Sequence, residues 1–190
     1  MDMELYHGTE SDKATSIVEN GFTMPRKNIK WPGDLGRGVY TFTSEVKKYI
    51  PGHEAARIYA KKYKSSPTCV LKVLLSNIDE NECLDLNNDE EINLFIDARA
   101  KIQELVIKRA NELAKKDHSK AAKRRNLEGV FMDAYLKITN KDNQINIIKK
   151  DRWEDIDDPN QKSTSGQIPN CQVILLRHPD RLDLNFEILK

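Results

Sequence analysis

Between Gly33 and Gly38 the chain holds three glycines in six residues, and the β-prone run Val39-Tyr40-Thr41-Phe42 follows at once. Glycine lets a backbone turn tightly and approach a neighbour closely, while branched and aromatic residues suit a pleated strand. The stretch therefore reads as a tight loop feeding a strand, a place suited to a flat ligand. Its spacing is Gly-x-x-Gly-x-Gly, and a strand follows where the dinucleotide fingerprint of βαβ folds needs Gly-x-Gly-x-x-Gly and a helix, so the stretch is not that fingerprint. A second short stretch, Leu5-Tyr6-His7-Gly8-Thr9, closes a strand expected from Met3.

The rest of the chain alternates strand and helix signals. Thr9-Glu10-Ser11-Asp12 resembles a helix start, with Ala14, Ile17 and Val18 on one face and Gly21 as the stop. Residues 23 to 35 read as a surface loop. Ser44 is expected to cap a short helix reaching about Ile50, and Pro51-Gly52 to break it. His53 to Tyr63 is expected to be helical, because Ala55, Ala56, Tyr59, Ala60 and Tyr63 recur at helical spacing. Cys69 to Leu75 is dense in aliphatic residues and reads as a central strand. Asn88 with Glu91 forms a capping-box pattern, and apolar residues from Ile92 to Leu113 then predict about seven turns of amphipathic helix. Val130 to Ile138 is expected to be a strand, 151 to 166 a long exposed loop, and Gln172 to Leu176 another strand. Leu182, Leu184, Phe186 and Ile188 alternate strictly, which predicts a last strand with one buried face.

Bulk properties narrow the class. A chain of 190 residues suits one domain with an adequate core, here taken as 1–190 with a helical insertion at about 88–125. A net charge of +1 gives no overall pull toward nucleic acid or acidic membranes. Cys69, Cys83 and Cys171 lie far apart without Cys-x-x-Cys spacing, so neither a zinc site nor a disulfide framework is indicated, and a reducing cytoplasm is expected. No long apolar run predicts a membrane span. Locally, Lys108 to Arg125 is strongly basic, and Lys120, Lys123, Arg124 and Arg125 are the candidates for a nucleic-acid grip. The same residues also suit a solvated helix end beside the negative pole of its dipole.

His7-Gly8-Thr9, the glycine loop and Gly38-Val39-Tyr40-Thr41-Phe42 together resemble the ADP-ribosyltransferases of the poly(ADP-ribose) polymerase and diphtheria-toxin type. Those proteins carry His-Gly-Ser/Thr, a glycine loop entering a tyrosine strand, and a third residue, usually Glu, that opens a later strand. The resemblance implies an α+β fold with a split, mixed or antiparallel sheet, flanking helices and an inserted long helix. It implies NAD+ as substrate and no metal. It makes His7, Tyr40 and Gln172 the catalytic trio, with Gln172 where the family has glutamate. His7, Gly8, Thr9, Gly38, Tyr40 and Tyr59 would bind the dinucleotide: His7 at a ribose hydroxyl, the Gly8 backbone at the carboxamide, Tyr40 and Tyr59 against the nicotinamide.

Cleaving the bond between nicotinamide and ribose builds positive charge on the sugar, so such a site must hold NAD+ rigidly and offer acceptors to the ribose. A neutral Gln172 can accept a hydrogen bond but cannot act as a base, so single transfer without chain growth is expected. Asp133 and Glu128 are candidate replacement bases. The implied function is mono-ADP-ribosylation of a protein or nucleic acid by an intracellular toxin or phage-defence effector, with an antitoxin protein as partner. The alternative is an inactive module of the same fold that binds NAD+, RNA or a partner protein.

Overall fold

The computed structural model describes residues 2–24, 30–117, 122, 126–152 and 170–189. The fold is α+β. Its strands are β1 (Met3–Glu10), β2 (Val39–Thr43), β3 (Thr68–Ser76), β4 (Cys83–Asp85), β5 (Ile147–Arg152), β6 (Cys171–Leu176) and β7 (Asp183–Leu189). They form one sheet in the spatial order β4-β5-β6-β2-β1-β3-β7, in which β4 and β5 are parallel and every other pair is antiparallel. Helices α1 (Ser11–Asn20), α2 (Gly52–Tyr63), α3 (Asp89–Lys116) and α4 (Glu128–Ile138) flank it.

Alternation along the strands sorts the core into two layers. On one face Met3, Leu5, Leu71, Val73, Leu75, Ile147, Ile174 and Leu176 pack with Ala14 of α1. On the other, Tyr6, Phe42, Val70, Ile148, Val173 and Leu175 pack with Ala55 and Ala56 of α2 and with the buried stripes of α3 and α4. Full burial of each such aliphatic side chain contributes about 1.5–3 kcal/mol, which is what keeps the strands in register.

Pairing is uneven, and this unevenness creates the site. β1 is matched to β3 along its whole length, from Met3↔Leu75 to Glu10↔Thr68. Toward β2 it is matched only at Leu5↔Thr43 and Tyr6↔Phe42, and beyond Tyr6 the two strands part. β2 itself continues to pair with β6 as far as Val39↔Leu176.

Several expectations change. Val130 to Ile138 is part of helix α4 and not a strand. Val130, Phe131, Met132, Tyr135 and Leu136 are all buried, and a helix that is apolar on nearly every side has no 3.6-residue stripe to betray it. Residues 46–49 form a turn rather than a helix, and the Ser44 hydroxyl instead accepts the Gly52 N–H at 2.8 Å, serving the first residue of α2. β3 lies one strand from the edge, beside β7. α3 begins as expected, with the Asn88 carboxamide oxygen accepting from Glu90 N and Glu91 N. The capping box is only half made, because the Glu91 carboxylate takes the Asp85 N–H. Most of the loop expected at 151–166 lies outside the described residues, and Asp151 and Arg152 belong to β5.

Candidate functional site

Where β1 and β2 part, a cleft of about 550 Å³ opens. Its walls come from the end of β1 (His7, Gly8, Thr9), the glycine loop and β2 (Gly33, Asp34, Gly38, Tyr40), α2 (Tyr59, Tyr63) and the α1 side (Lys13, Phe22), with Arg152 and Val173 behind. Everything the sequence proposed for dinucleotide binding is therefore in one place: His7, Gly8, Thr9, Gly38, Tyr40 and Tyr59 all line it.

His7 is the first β1 residue past the last β1–β2 pair, and its ring spans the gap: Nδ1 lies 2.9 Å from the Tyr40 carbonyl oxygen. A carbonyl can only accept, so Nδ1 carries the proton and Nε2 keeps its lone pair. The ring packs edge-on against Phe22, centroids 5.2 Å apart, and Phe22 packs the same way on Phe186. Burial, with the Lys64 cation also opposing charge, pushes the imidazole down to about 4 against the pull of the Tyr40 carbonyl. At neutral pH, His7 is thus an uncharged acceptor fixed at the mouth of the split.

The Tyr40 phenol locks the glycine loop. Its oxygen accepts the Leu35 N–H at 2.8 Å and donates to the Gly36 carbonyl at 3.1 Å. A Cβ on Gly33 would sit 2.3 Å from that oxygen, so only glycine lets the loop lie against the ring. Gly36 has φ of 102°, a conformation side chains disfavour. Burial holds the phenol far above its ordinary titration range, so Tyr40 supplies a neutral ring and not a base. Gly8 packs equally closely on α2, since a Cβ there would come within 2.1 Å of the Ala56 carbonyl. That contact brings Tyr59 over the cleft, its ring 5.9 Å from Phe42 and 4.8 Å from Tyr63. Tyr63, one turn further along the same helix, is 50% exposed.

Gln172 is not brought to the cleft. It is buried between Thr43 of β2 and Asp151 of β5 in the register, and its amide donates to Asp151 Oδ1 at 2.6 Å. Tyr49 completes this group by donating to Asp151 Oδ2 at 2.8 Å. The β6 side chain that lines the cleft is the next one, Val173, because neighbours on a strand face opposite sides.

The candidate bases are also placed elsewhere. Asp133 of α4 grips the glycine loop from behind, accepting from Arg37 N at 3.1 Å and Arg37 Nη1 at 2.5 Å. Its carboxyl is pushed up by burial, with Arg37 opposing. Glu128 pairs with Arg99 at 2.9 Å. Lys120, Lys123, Arg124 and Arg125 lie outside the described residues.

Sequence reasoning missed five charged residues of the cleft: Glu10, Lys13, Asp34, Lys64 and Arg152. Glu10 and Lys13 form an ion pair at the start of α1. Asp34 sits inside the glycine motif, where its position was itself a signal. Arg152 reaches it from the end of β5 at 2.6 Å, and nothing local in the sequence links the two. Among the described residues no cluster of three or more His, Cys, Asp or Glu side chains could hold a metal, and no helix is long and apolar enough to cross a membrane. Compared with known proteins, the chain matches no family model and no curated protein sequence.

Proposed function

We propose that the chain is a mono-ADP-ribosyltransferase that takes ADP-ribose from NAD+ and passes it to a macromolecular acceptor. The observation that carries this reading is the parting of β1 from β2, which puts an uncharged imidazole and a phenol ring from two strands into one cleft. The cleft volume, about 550 Å³, falls within the range of about 300–1,000 Å³ usual for small-molecule and cofactor sites. In this reading the Tyr40 and Tyr59 rings receive the nicotinamide and His7 Nε2 accepts from a ribose hydroxyl. The backbone of β1 beyond Tyr6, which has no β2 partner, offers hydrogen bonds to the carboxamide.

Labelled NAD+ incubated with cell extract tests the reading. The wild-type chain should release nicotinamide and label a macromolecule, and Tyr40→Ala should do neither. Separate digestion of the product with ribonuclease, deoxyribonuclease and protease then identifies the acceptor as RNA, DNA or protein. No nicotinamide release and no label transfer by the wild type would defeat it. Action inside a cytoplasm fits three cysteines that form no disulfide among the described residues, and an enzyme that modifies its own cell would need a restraining antitoxin partner. A second reading, a non-catalytic module that binds NAD+, is favoured by the position of Gln172 away from the cleft. Tight NAD+ binding without turnover would establish that reading instead.

A further inference from the structure

With Gln172 turned toward Asp151, the carboxylates that line the cleft among the described residues are Glu10 and Asp34. Their surroundings differ. Glu10 is tied to Lys13 and accepts from the Ser65 N–H at the far end of β1. Asp34 lies between two of the residues that hold the Tyr40 phenol: Gly33, which packs on its ring, and Leu35, whose N–H bonds its oxygen. Arg152 Nη2 donates to Asp34 Oδ2 at 2.6 Å, and Asn126 Nδ2 donates to Oδ1 at 2.7 Å. A carboxylate has about four acceptor sites, so these two bonds orient the group and leave it able to accept from a ligand.

Resting on the reading of the cleft as an NAD+ site, we infer that Asp34, oriented by Arg152 and Asn126, is the catalytic carboxylate that faces the ribose of the nicotinamide half. In the step it assists, the bond between ribose C1′ and nicotinamide N1 breaks and its electron pair leaves with the nicotinamide, which departs neutral. The positive charge left across C1′ and the ring oxygen is met by the Asp34 carboxylate. The acceptor's nucleophilic atom, or water, then bonds to C1′ and gives its proton to solvent. Arg152 is a positioning residue in this scheme, because it acts through Asp34.

The test compares the rate of nicotinamide release at saturating NAD+ with NAD+ affinity from an equilibrium titration, in the wild type and Asp34→Asn. Losing a preorganised group that meets transition-state charge should slow release by about 100-fold or more, while affinity and thermal midpoint stay close to wild type. If Asp34→Asn does not fold, Asp34→Glu carries the test. It keeps the charge and displaces it by one methylene, so release should slow by about tenfold or more with affinity retained. Wild-type release rates in a folded Asp34→Asn or Asp34→Glu variant would overturn the inference and leave the cleft reading intact. Absence of nicotinamide release from the wild type would overturn the cleft reading itself.

Discussion

At Thr43, β2 is flanked on both sides, by Leu5 of β1 and Gln172 of β6, whereas at Tyr40 its register partner is Leu175 of β6 alone. The two ends of this five-residue strand therefore place polar groups in different circumstances. At the paired end the Gln172 amide donates to the Asp151 carboxylate inside the sheet. At the parted end a histidine with one committed nitrogen, a tyrosine ring and a glycine loop face an open cleft. Pairing uses up backbone and side-chain hydrogen-bonding capacity, and a split keeps it for a ligand. Polar residues predicted from sequence to be functional consequently divide by which end of β2 they adjoin.

The contrast can be probed by substitutions of decreasing expected effect. Ile174→Ala empties a fully buried site outside the cleft lining and should cost about 2–5 kcal/mol in denaturant unfolding with NAD+ affinity unchanged. A comparable loss of affinity would mean that the cleft is not independent of the core packing around it.

At the parted end, His7 is held uncharged, with its imidazole lowered from 6.5 to about 4. Below pH 6.5 the unfolded chain binds a proton that the folded chain refuses, so this contribution is complete above that pH and is lost on acidification toward about 4. It amounts to at most about 3 kcal/mol. Unfolding free energies measured from pH 4 to 7 should show this slope in the wild type and not in His7→Phe. Equal slopes in both would contradict the buried neutral ring.

Gly8→Ala drives a methyl into the Ala56 carbonyl, displacing α2 or β1 at a cost of about 1–3 kcal/mol. Because α2 carries Tyr59, NAD+ affinity should fall together with stability, which is the opposite of the Ile174→Ala pattern. Gln172→Leu is the mildest change. The Gln172 Oε1 atom is buried without a partner, so its removal offsets part of the lost bond to Asp151, and the net cost should be about 1 kcal/mol or less. Nicotinamide release should persist at the wild-type rate, and its abolition would return Gln172 to the reaction centre.

What could be read from sequence was local. The glycine loop, the strand after it and the helix from Asn88 follow from turn, strand and capping chemistry within a few residues of chain. His7 stands next to Gly8 and Tyr40 two residues after Gly38, in the motifs that carry the resemblance, and the structure brings both into the cleft lining. Which face Gln172 takes depends on the β2–β6 register, a property of two strands more than a hundred residues apart. The Asp34–Arg152 pair has the same character, joining a loop to a strand end across the sheet. Helix α4 was misread because its burial on nearly every side erased the helical period.

The central claim is that the gap between β1 and β2 receives the nicotinamide end of NAD+. A crystal structure of the chain with nicotinamide bound tests it most directly. The account predicts the pyridine ring against Tyr40, with its carboxamide hydrogen-bonded to the backbone at Gly8. A ring seated elsewhere, with the cleft between His7 and Tyr40 empty, would contradict it.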